Sequence, residues 1–298
     1  MPDITSHYTQ TRIAPTPSGF LHLGNVLSFS ITAALAKKHG AKILLRIDDI
    51  DQARVTPDYV QDIFDTLNFL EIPWDEGPRN DYEFKKNYSQ LHRMPIYQEA
   101  LEQLRDQQLV FACTCSRKQV RNEDGSYNES ICNCYNEQIP LSTENANWRL
   151  ITNSEDIVVK DHSGKDIHAT LPAEMHNFIV KRKDGSPAYQ LTSVMDDLLY
   201  GVDLVVRGED LWPSTLAQHQ LASALGESDF RDIAFYHHPL IMEAPGKKLS
   251  KSAGSTSIKY LRENGKSKAD IYSLIAGMLG SKESISNWEQ LAGLAGGI

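Results

Sequence analysis

An α/β fold built on a parallel sheet is predicted by three observations: a strand–helix–strand unit near the N-terminus, apolar runs of strand length further on, and segments whose apolar residues recur every three to four positions. Residues 11–15 read as the first strand, with loop punctuation at Pro15, Pro17 and Gly19, then a helix over Leu23–Lys38 that Gly40 closes. Lys42–Ile47 is the second strand, and the intervening helix makes the pair a parallel βαβ unit. Val60, Ile63, Phe64 and Leu67 share one helical face ahead of Pro73, and Ile96, Ala100 and Leu104 mark a helix beginning near Pro95. Beyond Leu109 the pattern breaks into segment 111–138, which reads as inserted. Asn177–Lys183 and Tyr189–Val194 flank an Asp184-Gly185 turn signal and are predicted as strands, followed by the apolar run Val202–Val206. Pro213 and Gly226 bracket a helix with Ala217, Leu221, Ala224 and Leu225 on its buried stripe. Ile271, Leu274, Ile275 and Met278 outline a last helix before the chain fades into the Gly-rich Ala292–Ile298.

Composition excludes more than it selects. A chain of 298 residues with 41% hydrophobic content suits a globular domain carrying an inserted lobe. No transmembrane run is present, and Met1 to Gln10 has neither an apolar stretch nor a basic n-region, so the expected location is the cytoplasm. A net charge of −9 argues against a general nucleic-acid coat, because counterion release needs clustered Lys and Arg. Local basic patches remain at Lys181-Arg182-Lys183 and at Lys247-Lys248 with Lys251; the competing account of each is a solvated face.

The most informative residues are Arg12 to Asn25, Arg-Ile-Ala-Pro-Thr-Pro-Ser-Gly-Phe-Leu-His-Leu-Gly-Asn, answered downstream by Lys248-Leu249-Ser250-Lys251-Ser252. The first segment opens a helix, whose unpaired N–H groups and dipole face phosphate; Gly24 lets a nucleotide approach the backbone and His22 adds a donor. The second offers Lys251 as a point charge within a Gly/Ser-rich stretch, Ala244 to Gly254, that can cover negative oxygens. Either half alone reads equally as a helix start or a solvated loop. In this order they read as an ATP site formed by His22, Gly24, Asn25, Lys248, Ser250 and Lys251, with His22 and Lys251 catalytic.

All four cysteines fall in one window as Cys113-Thr114-Cys115 and Cys132-Asn133-Cys134. Two Cys-x-Cys knuckles can wrap one tetrahedral ion, and a structural zinc pinning a loop-rich insert is the favoured account over a disulfide pair or unliganded thiols.

The paired motifs resemble the HIGH-type and KMSKS-type signatures of class I aminoacyl-tRNA synthetases, and the flanking text is similar to the glutamyl branch. Four stretches carry that likeness: Arg12 to Gly24; Arg46-Ile47-Asp48-Asp49-Ile50-Asp51; Tyr189 through Asp196-Asp197 to Arg207-Gly208-Glu209-Asp210; and His238-Pro239-Leu240 leading into Lys248–Ser252. The resemblance implies a Rossmann-like class I synthetase catalytic domain with a parallel sheet plus an inserted zinc-binding lobe. Its expected parts are a first half at 1–110, a zinc-binding, acceptor-type lobe at 111–176, a second half with the KMSKS-type loop at 177–255, and a short helical segment at 256–298. It implies glutamate contacts at Arg12, Ala14, Thr16, Asp48, Tyr189 and Arg207; two guanidinium groups suit a substrate with two carboxylates. Asp48 departs from the usual Glu and is shorter by one methylene. The competing account of Asp48, Asp49 and Asp51 is a turn cluster capping the following helix, and His237 and His238 read equally as packing or phosphate-facing residues. The metal set implied is Cys113, Cys115, Cys132 and Cys134, with Tyr127 as an alternative to one of the last two, because the short glutamyl-like enzymes use Cys, Cys, Tyr and Cys.

The reaction implied is adenylation of glutamate by ATP with Mg2+, then acyl transfer to a nucleic acid. Only 46 residues follow Ser252, too few for a helical anticodon-reading part. The likeness is therefore to the short branch, which implies the queuosine base of tRNA(Asp) as acceptor and a monomer. The alternatives are a truncated or partner-assisted glutamate–tRNA ligase, an activating enzyme with a non-RNA acceptor, and a zinc-dependent RNA-binding module without catalysis.

Overall fold

The computed structural model describes residues 7–116, 132–244, 247–248 and 257–296. The chain begins with strand β1 (Gln10–Ile13), helix α1 (Leu23–His39), strand β2 (Lys42–Leu45), helix α2 (Pro57–Phe69) and a single turn α3 (Asp81–Glu83). Helix α4 (Met94–Asp106) precedes strands β3 (Val110–Cys113), β4 (Asn147–Leu150), β5 (Ile157–Asp161), β6 (Asp166–Ala169) and β7 (Ile179–Lys181). Then come α5 (Tyr189–Leu199), β8 (Leu204–Gly208), α6 (Trp212–Leu225), β9 (Ala234–His238), and the short pair β10 (Met242–Ala244) and β11 (Lys247–Lys248). Helices α7 (Ile258–Glu263), α8 (Lys268–Met278) and α9 (Trp288–Gly296) close the described chain.

Two compact units result. The first gathers Met1–His92, Val202–Asp210 and Ala234–Ile298. Four of its strands run parallel in the order β2-β1-β8-β9, as the βαβ reading predicts. Thr11 reinforces the β1–β8 seam by donating from Oγ1 to the Leu204 carbonyl at 2.8 Å, and the Asp203 carboxylate accepts the Thr9 and Gln10 amides. Helix α1 is apolar on nearly every side because it is wrapped, with Val26, Leu27, Ile31 and Leu35 all buried in the core. Gly40 ends it as predicted, in the left-handed conformation at φ 71°, returning its N–H to the Ala36 carbonyl. Helix α2 is capped by Thr56 with Pro57 in its first turn, so Asp48, Asp49 and Asp51 are not its cap.

The second unit comprises Arg93–Gly201 and Leu211–Ile233. It holds the antiparallel sheet β3-β4-β7, the hairpin β5–β6 and helices α4, α5 and α6. It contains a buried ion pair. Arg93 clamps Asp196 with Nε and Nη2 at 2.7 and 2.9 Å, and Tyr97 donates its hydroxyl to Asp196 at 2.6 Å. Arg93 is 7% and Asp196 0% exposed at the side chain, so neither charge is screened by water. Burial alone would weaken the Arg93 cation, but the Asp196 hydrogen bonds and charge outweigh it and raise its pKa.

Three predicted elements differ. Tyr189–Val194 is the start of helix α5, not a strand. The Asp184-Gly185 turn forms, but its second arm pairs only over Ser186, Pro187 and Ala188 before the helix begins. Thr192 and Val194 favour strand locally; burial of Leu191, Thr192, Val194 and Asp196 against helix neighbours overrides that preference. Strand β7 is Ile179–Lys181, shorter than the predicted Asn177–Lys183. The Gly-rich tail does not fade at Ala292, because α9 runs through it with Leu291 and Ala292 fully buried. Within the predicted stripes, Leu274 is 44% exposed, and Tyr97 rather than Ile96 enters the core.

Removing one partner of a buried, forked ion pair strands the other, at a cost of about 3–5 kcal/mol. Asp196→Ala should therefore lower stability by about that amount in urea unfolding, whereas a loss under about 1 kcal/mol would show that the Arg93 fork is not structural.

Candidate active site and metal centre

The strand order reverses at β1, since β2 follows from one side and β8 from the other. Parallel sheets bind ligands beyond the carboxyl ends of their strands at such a switch point. Register puts the charged residues there on one face. Thr11 pairs Leu204 and Arg207 pairs His237, so alternation points Arg12, Arg207 and His237 to the same side. Arg12 is 5% and Arg207 4% exposed. Arg12 donates from Nη1 to the Val206 carbonyl at 3.3 Å, and the Arg207 guanidinium lies 5.0 Å over the Phe235 ring. Burial, with the charges of Arg207, His238 and Arg12, pushes the His237 imidazole down to about 3. His237 thus completes a cation-rich face as a neutral ring, a role the sequence left undecided. His238 is also depressed, first by burial, with its Nδ1 at 2.9 Å from the Pro239 carbonyl.

Asp48 stands beside this face. Arg46, two residues past the register partner of Arg12, holds it through Nε at 2.7 Å and Nη2 at 3.1 Å, and the pair is 2% and 8% exposed. The part Arg46 plays is not evident from sequence, although its parity with Leu44 places it on the Arg12 face. Asp49 serves elsewhere, accepting Ser89 Oγ at 2.6 Å, the Gln90 amide at 2.7 Å and Gln52 at 3.0 Å, and so ties two loops together. Ala14 is half-buried and Thr16 exposed in the loop leaving β1. Tyr189 belongs to the second unit, as the 39% exposed first residue of α5.

His22, Gly24 and Asn25 form a capping box on the 17-residue helix α1. The His22 Nδ1 accepts the Gly24 amide at 3.1 Å, and Asn25 Oδ1 accepts the His22 amide at 3.0 Å. An accepting Nδ1 leaves Nε2 to carry the ring proton. Gly24 also suits that ring, since a Cβ there would stand 3.0 Å from His22 Cε1 and crowd it. The same loop is stapled twice. Asp62 of α2, a carboxyl pushed up by burial, accepts the Leu21 amide at 2.9 Å, and the Leu21 carbonyl receives the Ile258 amide at 2.8 Å beside a His22–Ser257 bridge. The start of α7 therefore adjoins the His22 loop, although the two are distant in sequence. Lys248 lies in β11; Ser250 and Lys251 lie outside the described residues.

In the second unit the Sγ atoms of Cys113, Cys115, Cys132 and Cys134 lie within 4.8 Å of one another. Neighbouring pairs are 3.5, 3.7 and 3.8 Å apart and all four thiols are free. A tetrahedral ion with metal–sulfur bonds of about 2.3 Å requires sulfur–sulfur edges of about 3.8 Å. The cluster fits that geometry and can hold a metal. Burial first, then the neighbouring thiols, raises the Cys115 pKa, and Cys132 is raised likewise; for Cys134 burial is outweighed by the Thr114 amide and the adjacent thiols, which lower it. Tyr127 lies outside the described residues.

Comparison with known proteins adds the family. The profile described as "tRNA synthetases class I (E and Q), catalytic domain" matches residues 9–293. A glutamate–tRNA ligase of Nitrosomonas europaea is 32% identical over 96% of this chain and 62% of its own length. A glutamyl-Q tRNA(Asp) synthetase of Pseudomonas aeruginosa is 35% identical over 84% of this chain and 79% of its own. The chain thus spans less than two thirds of the first of these relatives. Glutamate–tRNA synthetase from Elizabethkingia anophelis shares the fold, with a TM-score of 0.72 at 23% identity over 96% of this chain and 65% of that one.

Two outcomes follow from the geometry. A ring whose pKa falls from about 6.5 unfolded to about 3 folded stabilises the protein fully above about 6.5, and that contribution is lost as pH drops through the folded value. His237 should therefore show neutral-imidazole NMR shifts at about pH 5, and a ring titrating with a midpoint near 6.5 would contradict its placement. Protein purified without added metal should hold about one metal ion per chain by elemental analysis, and Cys113→Ser should release it and lower the melting temperature. A fully folded, metal-free wild type would sink the structural-site claim.

Proposed function

We propose a function from one premise: the chain belongs to the family of class I tRNA synthetase catalytic domains that serve glutamate (E) and glutamine (Q). On this reading it is a ligase that activates glutamate with ATP and passes the glutamyl group to tRNA. The observation that carries it is the pair of nine-tenths-buried guanidinium groups, Arg12 and Arg207, sharing one face at the switch point. Guanidinium forks in a dry site select carboxylates, and a substrate with two of them uses both. The carboxylate of Asp48, steadied by Arg46, would hold the substrate ammonium, and Ala14 and Thr16 are the remaining contacts of the first unit that we assign to the amino acid.

The chemistry needs no protein nucleophile. A glutamate α-carboxylate oxygen attacks the α-phosphorus of ATP; a new P–O bond forms while the bond to the β-phosphate oxygen breaks, and pyrophosphate leaves with that electron pair, its Mg2+ having entered with ATP. An acceptor hydroxyl then attacks the activated carbonyl and AMP leaves. His22 would contribute its Nε2 proton to the phosphate oxygens, beside the positive end of α1, with Gly24 and Asn25 shaping that end. Lys248, Ser250 and Lys251 would cover the leaving pyrophosphate. Zinc is the metal we assign to Cys113, Cys115, Cys132 and Cys134, where it would supply a crosslink rather than catalysis.

For the acceptor we favour the queuosine base of tRNA(Asp), with the chain acting as a monomer. The support is the likeness to the Pseudomonas aeruginosa protein of that name, matched over 79% of its length. Charging of tRNA(Glu) is the second reading, favoured by the likeness to the Nitrosomonas europaea ligase across 96% of this chain.

Pyrophosphate exchange into ATP should depend on glutamate, proceed without tRNA, and exceed the glutamine rate by about 100-fold, because an amide leaves a buried guanidinium without its anion. Equal exchange with glutamine would refute the substrate. Transfer should require queuosine-containing tRNA(Asp) and survive periodate oxidation of the 3′ end; efficient charging of the tRNA(Glu) 3′ end would promote the second reading.

A further inference from the structure

The second unit contains a cleft of about 460 Å³, within the range of small-ligand sites, about 300–1,000 Å³. Arg149, Arg182, Lys183, Asn145, Asn147 and Asp184 contribute to its walls. Three cations line it, with one carboxylate and the Cys115 thiol, as a cluster of basic groups in a chain whose net charge is −9. The cations arrive from two pieces of chain, Arg149 from β4 and the other two from the turn after β7.

Each is held in place. Arg149 is 6% exposed and donates from Nη1 to the Asn177 carbonyl at 2.8 Å. Lys183 donates from Nζ to the carbonyl of Thr114 at 2.6 Å, and Thr114 sits between Cys113 and Cys115. One wall of the cleft is therefore fastened to a cysteine knuckle. Lys181, the remaining member of the basic run, is used elsewhere, with its ammonium 4.2 Å from the Trp148 ring centroid. Asp184 caps its own turn by accepting the Ser186 amide at 3.0 Å and also pairs with Arg182 at 3.0 Å. That pair is 35% and 55% exposed, the class of ion pair that is weak and readily exchanged for another anion.

We propose that this cleft seats a backbone phosphate of the RNA partner, a step that rests on the acceptor being RNA. A fork at Arg182, a buried fork at Arg149 and a point charge at Lys183 can surround several oxygens of one tetrahedral anion. The Asn145 and Asn147 amides beside them suit the ribose hydroxyl and base edges that flank a phosphate. Asp184 is the internal anion that the phosphate displaces from Arg182. Phosphate contacts of this kind fix register without reading sequence.

The test is filter binding of bulk deacylated tRNA across a salt series from about 50 to 200 mM. Arg182→Gln and Lys183→Gln should each weaken binding about 5- to 10-fold at the low end and reduce the log–log salt slope by about 0.7–0.9, one released counterion. Asp184→Asn keeps an acceptor for Ser186 but removes the competing charge, so it should tighten binding. A merely structural turn would not give effects of opposite sign. Inorganic phosphate should compete with tRNA for the unaltered chain. Unchanged slopes in both glutamine variants, weaker binding by Asp184→Asn, or phosphate that binds without displacing tRNA would each overturn the proposal. Pyrophosphate exchange by the unaltered chain is read without RNA, so its failure faults the activation reading and leaves the binding result standing.

Discussion

The hydrogen-bonded seam between β1 and β8 is the constraint from which the candidate site follows. β1 lies at the start of the chain, and β8 arrives after the chain has left the first unit and come back. Pairing them in parallel brings Arg12 and Arg207 onto one face and points both carboxyl ends the same way. The seam is secured by groups that take nothing from the site: Thr11 Oγ1 on the Leu204 carbonyl, and the Asp203 carboxylate across the Thr9 and Gln10 amides. A one-residue slip would send Arg12 to the opposite face, since side-chain direction alternates along a strand. The register therefore decides which face carries both arginines as well as how the strands pair.

The loop leaving β1 is fixed by a similarly small set of contacts. His22 is an N-cap, its ring committed through Nδ1 to the Gly24 amide, so its ring proton points away from the helix it caps. The cap, the Asp62 bond to Leu21 and the Ile258 bond to the same residue act on neighbouring positions. Each hydrogen bond contributes only about 0.5–1.5 kcal/mol, but together they leave the loop few alternative conformations. Asp62 does this while buried, with its pKa raised because the hydrogen bonds and the Arg262 charge only partly offset the desolvation.

Much of this is legible in the sequence where a local rule and the global fold agree. The Gly40 stop, the Val60–Leu67 stripe and the βαβ unit express backbone geometry and burial together, and each stands where the pattern puts it. Tyr189–Val194 misleads because Thr192 and Val194 prefer a strand locally, whereas Asp196, just beyond, must reach Arg93 from a helix. No local pattern encodes that distant partner. The cysteine cluster is readable because four thiols in one window leave few arrangements; Arg46 and His237 are not, since only the register with β1 and β8 says which way they point.

Arg46 also changes what the short side chain at position 48 means. A carboxylate closer to the backbone by one methylene has less reach, but it also has fewer rotamers to lose, and here a two-toothed guanidinium takes up the remaining freedom. Both oxygens are engaged by Arg46, yet an ionised carboxylate has about four acceptor directions, more than one guanidinium fork fills. The fork therefore fixes the orientation of the carboxylate. A partner with flexible reach, such as a substrate ammonium, would approach a preset anion rather than draw a longer side chain toward itself. On the proposed reading, the Asp48 carboxylate is set by the chain's own Arg46 before the amino acid arrives, which would shift the burden of fit from the protein side chain to the ligand.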